Sequence, residues 1–175
     1  GKFKIVQFTD THWEFLKNNQ PSLDAMASVL DFENPDMVVL TGDIIPTFMG
    51  NMAAWEDFIE VMQDRAIPWA VTLGNHDRES IFMTGQELVA SLSAMTYSLV
   101  EAGPTGVGGF SNYVLNVKDS TGQHNAAALY CLDSQEDGLI DSQAQWYRDQ
   151  SAAMTASNGG SPLPSLMFFH IPLPE

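Results

Sequence analysis

The stretch Pro35-Asp36-Met37-Val38-Val39-Leu40-Thr41-Gly42-Asp43 decides the fold. A Pro-Asp pair punctuates the chain, and a short apolar run follows and ends at Thr-Gly-Asp. That pattern reads as a strand over residues 37–41. Upstream, residues 3–9 form a second apolar run with β-branched and aromatic members, again a buried strand. Between them, Leu23, Met26, Ala27 and Leu30 recur at helical spacing. They predict a helix over 22–32, with Ser22 behind Pro21 as its N-cap. Downstream, Trp55, Phe58, Ile59 and Met62 mark one face of a helix over 51–65, and residues 67–73 form a third strand. The order β-α-β-α-β implies a parallel sheet with crossover helices.

The rest of the chain continues the alternation. A helix is expected over 84–95, then a loop rich in Gly and Pro over 101–111. Residues 113–117 and 126–132 read as neighbouring strands joined by a turn over 119–125. A helix carrying Trp146 and Tyr147 spans 141–156, a turn spans 157–164, and a last strand spans 166–169. No repeat, low-complexity tract or linker divides the chain, so 1–175 reads as one domain.

Composition narrows the function classes. The 175 residues carry 22 Asp+Glu against 7 Lys+Arg, a formal net charge of −15, with 45% hydrophobic residues. The apolar fraction calls for a packed core rather than an acidic disordered tail. One Cys excludes a disulfide framework and any Cys-rich zinc module. The acidity argues against a nucleic-acid binder, because phosphate backbones require a basic surface. No window is long and apolar enough for a membrane span, and no signal peptide is visible, so a soluble protein is expected. The opening Gly1 resembles a tag remnant or trimmed boundary. Compartment and oligomeric state are not encoded in any feature of the sequence.

The polar residues cluster at the strand ends. Asp10 and His12 follow the first strand, Asp43 the second, Asn75, His76 and Asp77 the third, and His170 the last. Asp43 follows Asp10 by 33 residues and Asn75 follows Asp43 by 32, one crossover unit each. Ligands of parallel α/β sheets bind outside the carboxyl ends of the strands. Each residue taken singly has a plainer reading. An Asp at a strand end is ordinarily a turn former, Gly-Asn a turn, and His170 a core histidine bonded to backbone. The joint pattern carries the argument: metal-competent groups return at successive strand ends.

The set Asp10-x-His12, Gly42-Asp43, Gly74-Asn75-His76-Asp77 and His170 resembles the calcineurin-like metallophosphoesterase superfamily. The text around Glu33 to Asp43, Asn112-Tyr113, Leu132-Asp133-Ser134 and Phe168 to Glu175 resembles the branch related to purple acid phosphatases, including the type of the yeast dosage-dependent cell-cycle regulator. The resemblance implies an α/β fold, a four-layer α/β/β/α sandwich of two mixed sheets. It also implies a dinuclear metal site, whose metal-bridging hydroxide hydrolyses phosphate esters. Asp10 and His12 would bind the first metal, Asp43 would bridge, and Asn75 and His170 would bind the second. His76 would face the phosphate and stabilise or protonate the leaving oxygen. Asp77 is the candidate to orient a neighbour and Arg78 to touch a phosphate oxygen, with a surface ion pair as the plainer role for each. Carboxylate, imidazole and amide oxygen suit two divalent or trivalent ions such as Mn, Fe or Zn.

Two departures stand against the family pattern. No tyrosine follows Gly42-Asp43, so the tyrosinate–iron colour of purple acid phosphatases is not expected. The Gly-His-x-His segment that adds one ligand per metal is also missing, so the C-terminal part of the domain is expected to be incomplete and its metal binding weak. The alternative is therefore a non-catalytic scaffold or binding protein of the same fold with a partial site. The substrate class is a phosphate ester, with small esters favoured over nucleic acids on charge. Cys131 reads as a buried strand residue. Trp13 reads either as a cleft wall or as packing. The loop over 103–109 has no P-loop ending and is expected to border the cleft.

Overall fold

The computed structural model describes residues 2–13, 18–45 and 52–173. Strand β1 (Ile5–Phe8), helix α1 (Gln20–Glu33), β2 (Met37–Leu40), α2 (Met52–Gln63) and β3 (Trp69–Val71) form the expected β-α-β-α-β unit. Asn51, the expected first residue of the second helix, lies outside the described residues. The three strands are parallel in the order β1-β2-β3, with Val38 opposite Val6 and Trp69 opposite Val38. The N-cap of α1 is Asn19, three residues before the expected Ser22. Pro21 does not mark the boundary, because the first helical turn needs no N–H from it.

After β3 comes a 3₁₀ turn, His76–Arg78, which the sequence did not foretell, and then α3 (Gly85–Ser93). Thr84 caps α3: its hydroxyl accepts the Glu87 N–H, and the Glu87 carboxylate accepts the Thr84 N–H. This reciprocal box explains where the helix begins. Strands β4 (Tyr113–Lys118), β5 (Asn125–Cys131) and β6 (Ser165–Phe168) form the second sheet, with α4 (Asp141–Ser157) crossing between the last two. β4 and β5 are antiparallel, β5 and β6 parallel. The second sheet is thus mixed, whereas the first is parallel throughout its described strands.

Alternation along the strands sorts the layers. Val38, Leu40, Trp69 and Val71 face a core shared with Met26, Leu30, Phe58, Ile59, Leu88 and Leu92 of the helices. Their neighbours Met37, Val39 and Ala70 point the other way, onto Tyr113, Leu129 and Cys131 of the second sheet. Tyr130, on the opposite face of β5, meets Tyr147 of α4 edge-on at 4.9 Å. Helices, sheet, sheet and helix therefore stack as four layers.

One side chain fixes the sheets to each other. The Tyr113 hydroxyl donates to the Val71 carbonyl at 2.8 Å and accepts the Val71 N–H at 3.1 Å. Both groups lie on the side of β3 turned away from β2, and the phenol satisfies both at once. Burial pushes the Tyr113 hydroxyl well above its ordinary pKa, so it remains a donor.

Candidate metal centre

The loops after β1 and β2 are laced together. Asp10 N–H donates to the Gly42 carbonyl, His12 N–H to Asp43 and Trp13 N–H to Ile44, at 2.9–3.1 Å. This ladder holds Asp10, His12 and Asp43 in left-handed backbone conformations, with φ of 50°, 46° and 52°. Non-glycine residues rarely sit there unless the surroundings over-determine them.

Two glycines permit the close approach. A Cβ on Gly74 would stand 2.2 Å from Asp43 Oδ1, and one on Gly42 would stand 2.7 Å from both Gly74 Cα and His170 Cγ. The loops after β2, β3 and β6 thus meet where only glycine fits.

Asp43 is the buried centre of the group. Its Oδ1 accepts the His76 N–H at 3.0 Å. Its Oδ2 faces two imidazoles, His12 Nε2 at 3.7 Å and His170 Nε2 at 3.3 Å. His12 Nε2 also lies 3.6 Å from Asp10 Oδ1. The ligand atoms of Asp10, His12 and Asp43 all fall within 4.8 Å of one another. Atoms bound to one ion at about 2.0–2.2 Å stand about 3.0–3.5 Å apart, so the spacing is close to that of a coordination shell.

His170 supplies a sharper test of fit. Its Nδ1 donates to the Thr41 carbonyl at 2.8 Å. In the neutral ring that leaves a lone pair on Nε2, facing a carboxylate oxygen. Two acceptors do not face each other at that distance without a cation or proton between them. The carboxylate–imidazole donor set therefore fits a metal ion. The backbone bond expected of a core histidine exists, and it aims the other nitrogen into the site.

The remaining site residues take distinct places. Asn75 is half-buried and begins the 3₁₀ turn. His76 has its Nδ1 2.9 Å from Glu79 Oε1. That carboxylate holds the imidazole above its ordinary pKa, burial opposes it, and the Asp43 charge adds to it. Asp77 is buried and accepts the N–H groups of Asp43, Ile44, Ile45 and Gly74 at 2.8–3.1 Å. Burial pushes its carboxyl up, while the Gly74 and Ile45 N–H groups pull it back. Arg78 bonds Asp133, whose side chain is fully buried, and lies 5.3 Å from the Phe110 ring centre. Neither Asp77 nor Arg78 makes the surface ion pair that was their plainer role.

Several contributors were not singled out from sequence. Glu79 is readable in retrospect from its i+3 spacing to His76 on one helical turn. The Thr41 carbonyl, being backbone, leaves no side-chain signal. Ser134 Oγ accepts the N–H groups of His170 and Ile171, and Asp133 accepts the Phe110 N–H. Trp13 is core, edge-on to Phe58 at 5.5 Å, and it also lines a cavity of about 370 Å³ with Leu23, Asp57 and Glu60. The Gly-rich loop lines a cavity of about 400 Å³ with Gln86, Val89 and Ala90.

Comparison with known proteins agrees with this geometry. The family model for calcineurin-like phosphoesterases matches residues 3–174. The chain is 31% identical to "Probable inactive purple acid phosphatase 29" of Arabidopsis thaliana, covering all of this chain and 55% of that protein. It is 30% identical to "Phosphatase DCR2" of Saccharomyces cerevisiae, covering all of this chain and 35% of that protein. It thus spans about half or less of these relatives. With its two sheets, its carboxylates and imidazoles gathered at the strand ends and a match over nearly every residue, the chain belongs to the calcineurin-like phosphoesterase family.

Proposed function

We propose that the protein is a metal-dependent phosphoesterase that hydrolyses phosphate esters at a dinuclear site. The observation that carries this reading is the carboxylate of Asp43, bonded by the His76 N–H on one oxygen and faced by His12 and His170 on the other. Asp10, His12 and Asp43 would hold one ion, and Asp43, Asn75 and His170 a second, with Mn, Fe or Zn as the suitable metals. Bound ions would supply a water of lowered pKa and neutralise charge on the phosphoryl oxygens. His76 is the proton donor. Glu79 holds its Nδ1, which leaves Nε2 for the leaving oxygen. As the ester P–O bond breaks, that oxygen takes the proton, and a water oxygen takes its place on phosphorus. The products are an alcohol and phosphate. Asp77 is a positioning residue, acting through the backbone of Asp43. Arg78 steadies the turn through Asp133 and is the nearest candidate for a phosphate contact only if that pair opens.

A second reading is a non-catalytic scaffold with a partial site. It is favoured by the word "inactive" in the names of three relatives, at 31%, 26% and 28% identity. One experiment separates the two. The full-length protein is assayed on 4-nitrophenyl phosphate and bis(4-nitrophenyl) phosphate with Mn, Fe or Zn. Metal-dependent turnover that falls about a hundredfold or more in His76→Ala supports the enzyme. Metal bound by calorimetry with no turnover of either ester sinks the enzyme and leaves the scaffold.

A further inference from the structure

Strand β6 keeps register with β5 as far as the Cys131–Phe168 pair, and the Leu132 N–H still reaches the Phe168 carbonyl at 2.9 Å. Beyond that bond the chain turns out of the sheet, and the N–H groups of His170 and Ile171 bond a side chain instead of a strand. Both go to one atom, Ser134 Oγ, at 3.2 and 2.8 Å. A hydroxyl oxygen has two lone pairs, and here each takes one donor. Ser134 is fully buried.

The hydroxyl stands on a rigid base. The Ser134 carbonyl accepts the Gly138 N–H at 2.9 Å. The preceding residue, Asp133, donates its N–H to Asn112 Oδ1 at 3.3 Å, and its carbonyl accepts Gln143 Nε2 at 2.6 Å. Gln143 is a fully buried residue of α4, so helix, loop and strand all hold this corner. The ring of His170 is held separately, by the Thr41 carbonyl on Nδ1 at 2.8 Å. It packs against Gly42, where an added Cβ would stand 2.7 Å from His170 Cγ. The backbone bond and the ring bond together set Nε2 at 3.3 Å from Asp43 Oδ2.

The ligands proposed for the first ion are held by other means. The N–H groups of Asp10 and His12 bond the Gly42 and Asp43 carbonyls, and the Asp43 N–H bonds Asp77. None of these bonds passes through Ser134.

We propose that Ser134 is a positioning residue for His170 and sets the affinity of the second ion alone. The inference rests on the two-ion reading above. A ligand holds its ion only when its donor atom is fixed to within about 0.5 Å, and residues that orient a ligand govern affinity without touching the ion. Removing the Ser134 oxygen frees two adjacent N–H groups and lets the backbone carry the imidazole away from Asp43.

The test titrates Mn into the metal-free full-length protein by calorimetry. Wild type is expected to bind two ions. Ser134→Ala is expected to keep the first affinity within about twofold and to lose about 10–100-fold in the second. A second readout needs no metal. The downfield proton resonance of His170 Nδ1–H, identified by its loss in His170→Ala, is expected to persist in wild type and to broaden or vanish in Ser134→Ala. Both affinities unchanged, or both reduced alike, overturns the inference. A single ion in wild type overturns the two-ion reading, and the resonance then decides Ser134: its loss in Ser134→Ala upholds the positioning role and its retention overturns it.

Discussion

Asp77 Oδ2 accepts the backbone N–H of Asp43 at 2.9 Å, across 34 residues of sequence. The same carboxylate takes the N–H groups of Ile44, Ile45 and Gly74. Burial raises this carboxyl, and the N–H groups of Gly74, Ile45 and Ile44 only partly offset it. The hydroxyl or amide alternatives cannot replace it. Asp77→Asn keeps one acceptor oxygen and turns an NH₂ toward N–H groups that need acceptors. The expected loss is about 1–3 kcal/mol in urea unfolding. Metal affinity by calorimetry is expected to fall about 10–100-fold, because Asp77 orients the Asp43 loop without touching an ion. Wild-type affinity in a folded Asp77→Asn protein would contradict the positioning role.

Gly74→Ala tests the close approach of the β2 and β3 loops. The added methyl would lie 2.2 Å from Asp43 Oδ1, so the carboxylate or the loop must move. Overpacking of this kind costs about 1–3 kcal/mol. On the proposed reading Mn or Zn raises the melting temperature of the wild type, and that shift is expected to shrink or vanish in the variant. An undiminished shift would mean that Asp43 is free to move without consequence.

A third prediction concerns acid stability. Arg65 bonds both oxygens of Asp31, Nε at 2.6 Å and Nη2 at 2.9 Å, and so ties the end of α2 to α1. That guanidinium holds the Asp31 carboxyl below its ordinary pKa. A lowered folded pKa stabilises the fold above the unfolded value, and this contribution is lost as pH falls through the folded one. Asp31→Asn is therefore expected to melt lower than wild type above about pH 4 and to converge with it in stronger acid. The pair is exposed on the Asp31 side, so added salt should reduce the difference. A gap that is constant from pH 7 to pH 2 would exclude an ionic origin.

Cys131 gives a fourth. Burial pushes its thiol up to about 12, and it sits in the layer between the sheets. The thiolate is the reactive form. No reaction with a chromogenic disulfide is expected at pH 8 in the native protein, and one thiol per chain is expected to react in denaturant. Rapid native labelling would show that the sheets separate readily.

Most of the fold was legible because each strand announces itself locally. The run at Met37–Leu40 is apolar on every residue, and its burial on both faces follows from helices on one side and a sheet on the other. The placement of Asp10, Asp43 and His170 followed from the rule that parallel strands present ligands at their carboxyl ends. What stayed hidden depends on contacts between distant segments. Nothing near Tyr113 signals that its hydroxyl will close on Val71, and no side chain advertises the Thr41 carbonyl that orients His170. The cap of α1 was misplaced because Pro21 is tolerated in a first turn as readily as before one.

His170 reaches Asp43 from the opposite sheet, and that makes the site a seam. The residues from Asp10 to His76 belong to the first sheet and its loops, while His170 follows β6 of the second. Neither half carries all of the proposed ligands. A chain cut between them, in the Gly-rich loop over 101–111, would separate His170 from the other proposed donors. Recovery of metal binding on mixing the two pieces would then report reassembly of the sandwich, with the ion acting as a rivet between halves that share no continuous backbone.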